Sequence, residues 1–275
     1  MAKNKASSST AAVAAKPAAQ ASSPFPLARY ASVLGPHTLL LAFSSLYLPR
    51  TSELFFALPP PKSSLDHPQP KWMEPITAAP VWTLLWVTLG VWGCVGAWAG
   101  SVRRWAKAAG VAGRGSDWIA LRNAVLSLAL FTPVFFVLVV LLGAPFSSYL
   151  AHTLLLSVLL SLLTAYVPAY VLPPPRQDSS TSSLVMRLQW TRLFSEFLTK
   201  SPLERILVYP ALGTLIGAWA GAAPIALDWD RPWQAWPLTP AYGAIIGYIA
   251  GSYAALMMSG MLHFAAQDTG VKKTQ

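Results

Sequence analysis

The sequence predicts an all-α fold, a polytopic transmembrane helical bundle of about six spans with its N and C termini cytosolic. Three observations predict it: charge is scarce, the apolar residues are gathered into helix-length blocks, and the cations lie almost entirely on one side of those blocks. Only 11% of the 275 residues are charged, against about a quarter in soluble domains. The mean hydropathy is +0.47.

The blocks are residues 30–48, 80–100, 124–142, 146–172, 206–227 and 242–263, and none contains Lys, Arg, Asp or Glu. Each is about 20 residues long, enough to cross roughly 30 Å of hydrocarbon at about 1.5 Å per residue. Inside a bilayer each backbone group must be bonded within its own helix or within a closed barrel. The blocks lack the period-2 alternation of barrel strands, which leaves helices. The expected membrane domain is 30–263. An Ala/Ser-rich arm, 1–29, precedes it; with Lys3, Lys5 and Lys16 and no compact apolar core it is expected to be disordered and cytosolic, not a signal peptide.

Orientation follows from the cations, which are retained on the cytosolic side during insertion. With both ends cytosolic, 16 of the 20 Lys and Arg fall on that side and only Arg50, Lys62, Lys71 and Arg231 on the other, while the ten acidic residues divide five and five. The net charge of +10 therefore belongs to the cytosolic face, where anionic lipids lie. These cations sit in membrane-adjacent loops and do not line one groove, which argues against nucleic acid as a partner. Cys94, the sole cysteine, lies within the second block, so there is no disulfide framework and no Cys-based metal site. The tail 264–275 ends Lys272-Lys273-Thr274-Gln275, lysines third and fourth from the carboxyl end, the form of a dilysine retrieval signal or of a plain positive-inside anchor.

Along the spans, Pro36 beside His37 in the first and Pro133 in the third predict kinks. Gly143, Ala144 and Pro145 alone join the third and fourth spans, which predicts a tight lumenal hairpin. Residues 184–200 place Met186, Trp190, Leu193, Phe194 and Phe197 on one face, an amphipathic helix on the cytosolic leaflet that serves as a spacer or docks another subunit. Gly213, Gly217 and Gly221 recur every four residues, as do Gly243, Gly247 and Gly251. Such bare stripes let backbones approach closely. They pack the last two spans on each other or form a groove for a partner's helix.

Between the stripes lies a lumenal turn with Asp228, Trp229, Asp230, Arg231, Trp233, Trp236 and Pro237. Two carboxylates at this spacing are also found in metal and acid–base sites, but no cluster of His or Cys accompanies them in sequence. The structural reading has the tryptophans anchoring the turn at the headgroups, and Asp228 or Asp230 capping it or pairing with Arg231. His37, His67, His152 and His263 form no set. His152, near the lumenal surface, is the best placed for a lipid or subunit contact. Phosphate loops, nucleophile elbows and zincin pairs are absent from the sequence, and no catalytic residue, metal or cofactor is expected. The competing functional classes are a membrane enzyme acting on lipid headgroups through lumenal Asp and His, and a small lipid transporter.

The fourth span entered through Leu142-Gly143-Ala144-Pro145, then a glycine-rich span running into PIALDWDRPWQAWP, then GAIIGYIAGSY, together resemble the PIG-F family over residues 32–261. The resemblance implies a noncatalytic accessory subunit of the endoplasmic reticulum membrane. Such a subunit binds and stabilises the large catalytic subunits of GPI ethanolamine phosphate transferase, PIG-O-like and PIG-G-like, as a heterodimer. It supports ethanolamine phosphate addition to the third mannose and, with a different partner, to the second. The residues carried over are the hairpin Gly143, Ala144 and Pro145, the turn from Asp228 to Arg231 with Trp233, Trp236 and Pro237, and the glycines of both stripes. The Ala-rich arm and the Pro-rich loop from Pro59 to Pro80 match no part of the pattern.

Overall fold

A computed structural model describes residues 25–55, 69–112, 115–175 and 178–273. The arm up to residue 24, the loop 56–68 with His67, and the side chains of 269–273, Lys272 and Lys273 among them, lie outside the described residues. Among those described, six helices are long and apolar enough to cross a membrane: Leu27–Thr51, Pro80–Ala108, Asp117–Leu141, Leu150–Val171, Pro202–Ala226 and Leu238–Asp268. All described secondary structure is helical. The sixth helix runs on to Lys273, through residues expected to form a tail.

Burial ranks the spans. In the fourth, 72% of the most apolar window is buried; in the third, the most hydrophobic of all at a mean hydropathy of 2.7, only 6% is. The fourth span is therefore the central post. The third packs along it and leaves its other flank, including Leu130, Val137 and Leu141, to lipid. The first span is strapped to the sixth by side chain to backbone bonds near both ends, Tyr30 Oη to the Ser252 carbonyl at 3.2 Å and Tyr242 Oη to the Ser45 carbonyl at 2.7 Å. Each satisfies a phenol that would otherwise be unpaired in apolar surroundings.

The helices continue through Pro36 and Pro133. A π-helical turn lies over Leu162–Tyr166 of the fourth span. Pro168 follows after Val167; it has no N–H to offer the carbonyl four residues back, and the wider turn sits where the α-helical ladder would lose that bond. The hairpin is also longer than expected. The third helix stops at Leu141 and the fourth starts at Leu150, not at Phe146. Gly143 adopts φ +105°, a conformation that disfavours any side chain, and the Gly143 and Ala144 amides donate back to Val140 and Val139 at 3.0 and 3.1 Å. Ser147 and Ser148 then prefer local turns to a helical start.

The amphipathic segment is a helix over Thr181–Phe194, set earlier than 184–200. The Ser180 hydroxyl accepts from the Ser183 amide and fixes the start, while Phe197 at φ +53° lies beyond the end, exposed. Leu193 is fully buried, and the Trp190 indole donates to the Pro173 carbonyl at 2.9 Å. Arg192 pairs with Glu204, whose other oxygen accepts from the Lys200 and Ser201 amides at 2.6 and 3.2 Å and so caps the fifth span.

Candidate functional site

The glycine stripes face each other. A β-carbon built at Gly213 would collide with the Gly247 carbonyl and come within 3.2 Å of the Gly251 Cα, one at Gly217 would meet Gly243 and Gly247, and one at Gly221 would meet Thr239 and Pro240. The reverse holds from the sixth span, where Gly243 and Gly247 meet Gly217 and Gly213, and Gly251 meets Tyr209 and Pro210. The two helices are antiparallel at backbone contact, so the stripes are occupied by one another and offer no groove to a third helix. Contact this close supplies the van der Waals packing and Cα–H to carbonyl approaches that hold membrane helices together.

This pairing sets the position of the turn between the two spans. A 3₁₀ turn over Ala223–Ala226 ends the fifth, Asp230 takes φ +47°, and a second 3₁₀ turn over Pro232–Gln234 leads to a cis Trp236–Pro237 bond. Gln234 ties these pieces together. Its amide oxygen accepts from the Arg231 backbone N–H at 2.8 Å, and its amide nitrogen donates to the carbonyls of Pro224 and Leu227 at 2.6 and 2.8 Å. Asp228, Trp229 and Asp230 are exposed at the tip, with Trp229 against Trp233 at 5.7 Å between centroids.

Trp236 turns inward. Its indole N–H donates to Thr153 Oγ1 at 3.1 Å, joining the turn to the fourth span, so it is a contact within the bundle. His152 is the neighbour of Thr153 in sequence and is half-buried, with its ring edge-to-face on Tyr149 at 5.1 Å. Between the third, fourth and fifth spans lies an apolar groove of about 810 Å³, walled by Leu138, the Gly143–Pro145 hairpin, Trp219 and Trp236. The structure thus brings the hairpin and the inner half of the turn to one groove. It leaves the carboxylates at the tip and Lys272 and Lys273 at the far end of the sixth helix. Among the described residues no three His, Cys, Asp or Glu are grouped to hold a metal ion.

Sequence reasoning missed Gln234 and Thr153. Gln234 had a signal: a polar residue three positions after Arg231, with proline between, has the spacing of a capping box. Thr153 had none, since its partner is 83 residues away.

Helices, hairpin and turn define a polytopic α-helical membrane protein with a glycine-paired terminal helix hairpin. The model of the GPI biosynthesis protein family Pig-F matches residues 107–256, more than half of the chain, and the chain belongs to that family. Among curated relatives, it is 39% identical over 117 residues to the human protein named GPI ethanolamine phosphate transferase, stabilizing subunit, covering 42% of this chain and 48% of that one. It is 37% identical over 160 residues to glycosylphosphatidylinositol anchor biosynthesis protein 11 of Aspergillus fumigatus, covering 57% and 49%, and 40% identical over 133 residues to its namesake in Debaryomyces hansenii, covering 48% and 52%. The chain spans about half the length of these relatives. No solved structure matches it.

Proposed function

We propose that this chain is a noncatalytic membrane subunit that binds and stabilises the catalytic subunits of GPI ethanolamine phosphate transferase in the endoplasmic reticulum membrane. It supports ethanolamine phosphate addition to the second and third mannoses of the GPI-anchor precursor, pairing one-to-one with PIG-O-like and PIG-G-like chains. The observation that carries the reading is the likeness to a human protein named as the stabilizing subunit, together with a family match whose residues include the hairpin, the turn and both glycine stripes. The docking face in this reading is the hairpin end, where the groove is lined by the exposed Trp219.

Affinity purification of the tagged chain in mild detergent, with mass spectrometry of what accompanies it, tests the proposal. A large phosphotransferase subunit in near-equal amount is the expected result. The chain recovered alone with headgroup-transferring activity would overturn it. Gly217→Leu and Gly247→Leu, which force the last two spans apart, are expected to lower the abundance of the recovered partner several-fold, while Asp230→Asn has a smaller effect.

A further inference from the structure

The opposite, cation-rich end of the bundle has a cavity of its own, of about 360 Å³, where the ends of the second, third and fourth spans meet the first turn of the surface helix. Its walls are of two kinds. Ile119, Leu172 and Met186 form an apolar side, and Arg103, Arg122, Asn123 and Ser182 bring hydrogen-bond donors to the other. Asp178 is also in the wall and already accepts from the Ser180 hydroxyl at 2.9 Å.

Arg103 is built into place. It is only 8% exposed, and its guanidinium donates to Asp117 Oδ1 at 3.0 Å, to the Tyr170 carbonyl at 2.9 Å and to the Gly115 carbonyl at 3.2 Å. Asp117 does not cancel this charge, because Lys107 shares the same oxygen at 2.6 Å, so two cations sit on one carboxylate. Arg122, one turn into the third span, adds a third cation, exposed and with no carboxylate within ion-pair distance among the described residues. The cavity therefore combines a fixed guanidinium, an adjustable one, an amide and a hydroxyl, the donor set that suits a tetrahedral oxyanion. An apolar wall beside these donors, at the boundary of a span, suits an anion that carries hydrocarbon.

We propose that this cavity binds the phosphate of an anionic glycerophospholipid from the leaflet on the cation-rich side, the first carbons of its chains lying against Ile119, Leu172 and Met186. Phosphate could also arrive as a soluble ester, and the test separates the two sources. The thermal unfolding midpoint of the purified full chain in detergent is followed by tryptophan fluorescence against increasing dioctanoyl phosphatidic acid, dioctanoyl phosphatidylcholine or inorganic phosphate at matched ionic strength. A saturable rise with phosphatidic acid is expected, with little response to the other two. Arg122→Gln is expected to weaken the apparent affinity for phosphatidic acid roughly tenfold, the loss of about one charged hydrogen bond. Asn123→Ala weakens it less, and Arg104→Gln, which removes the same charge from the neighbouring residue outside the cavity, leaves it within about twofold. An equal response to phosphatidylcholine, or equal loss in Arg122→Gln and Arg104→Gln, would overturn the proposal. Saturation by inorganic phosphate at the same concentrations would likewise overturn the lipid and assign the cavity to a soluble phosphoester.

Discussion

Gln234 carries the conformation of the turn with three side-chain hydrogen bonds to backbone groups on both sides of the exposed tip. A methyl group in its place leaves one amide and two carbonyls to find water or go unpaired. Each unmet partly buried group costs about 1–3 kcal/mol, and water at the half-exposed positions reduces the sum. Gln234→Ala is therefore expected to destabilise the chain by about 2 kcal/mol and to open residues 224–237 to protease. Asp228→Asn, at an exposed position, is expected to change stability by less than about 0.5 kcal/mol. Unfolding midpoints and limited proteolysis of the two purified variants make the comparison. Equal stability of the two would show that the turn is held by its prolines and by Trp236, not by Gln234. At this scale the sequence was readable for residue type and not for role: three tryptophans and two carboxylates drew attention, while the organiser was an ordinary glutamine whose partners lie up to ten residues away.

For whole elements, legibility followed the range of the forces. Hydropathy is summed over about 20 residues, so six helices of spanning length could be read from it. Boundaries set by one bond could not. The Ser180 cap and the left-handed Phe197 shifted the surface helix, and Pro168 brought a π-helical turn that apolar composition does not reveal. The glycine stripes were readable as close-packing surfaces, but only the fold shows which helix each one meets. The surface helix has a further tether that hydropathy cannot show, the Arg192–Glu204 pair. Glu204 also caps the fifth span, so Glu204→Gln removes the charge while leaving one oxygen to accept from the Lys200 and Ser201 amides. Amide hydrogen exchange is expected to speed several-fold across Thr181–Lys200 and to stay unchanged over residues 206–222, which are held by the glycine contacts. Uniform acceleration through both segments would mean that the pair stabilises the bundle as a whole.

The molecule as a whole is polarised along the membrane normal. One end holds the hairpin, the Asp-Trp-Asp turn and an apolar groove; the other holds the Arg103 and Arg192 networks and most of the described cations. That asymmetry is what an insertion machinery reads, because Lys and Arg in short loops near the ends of spans are retained on the cytosolic side. The reversed topology would carry several such residues across, so the hairpin end is expected in the lumen. The single cysteine makes this measurable: Cys94 lies in the second span and can be replaced by Ser to give a background without thiols. Single cysteines are then placed at Ser148, exposed in the hairpin, and at Ser179, exposed before the surface helix. In sealed microsomes, whose outer face is cytosolic, a membrane-impermeant maleimide is expected to label Ser179→Cys at once and Ser148→Cys only after detergent. The opposite order would place the hairpin and the turn in the cytosol. That arrangement would separate the groove from a lumenal catalytic partner and bring down the proposed docking face, while the helix packing would stand.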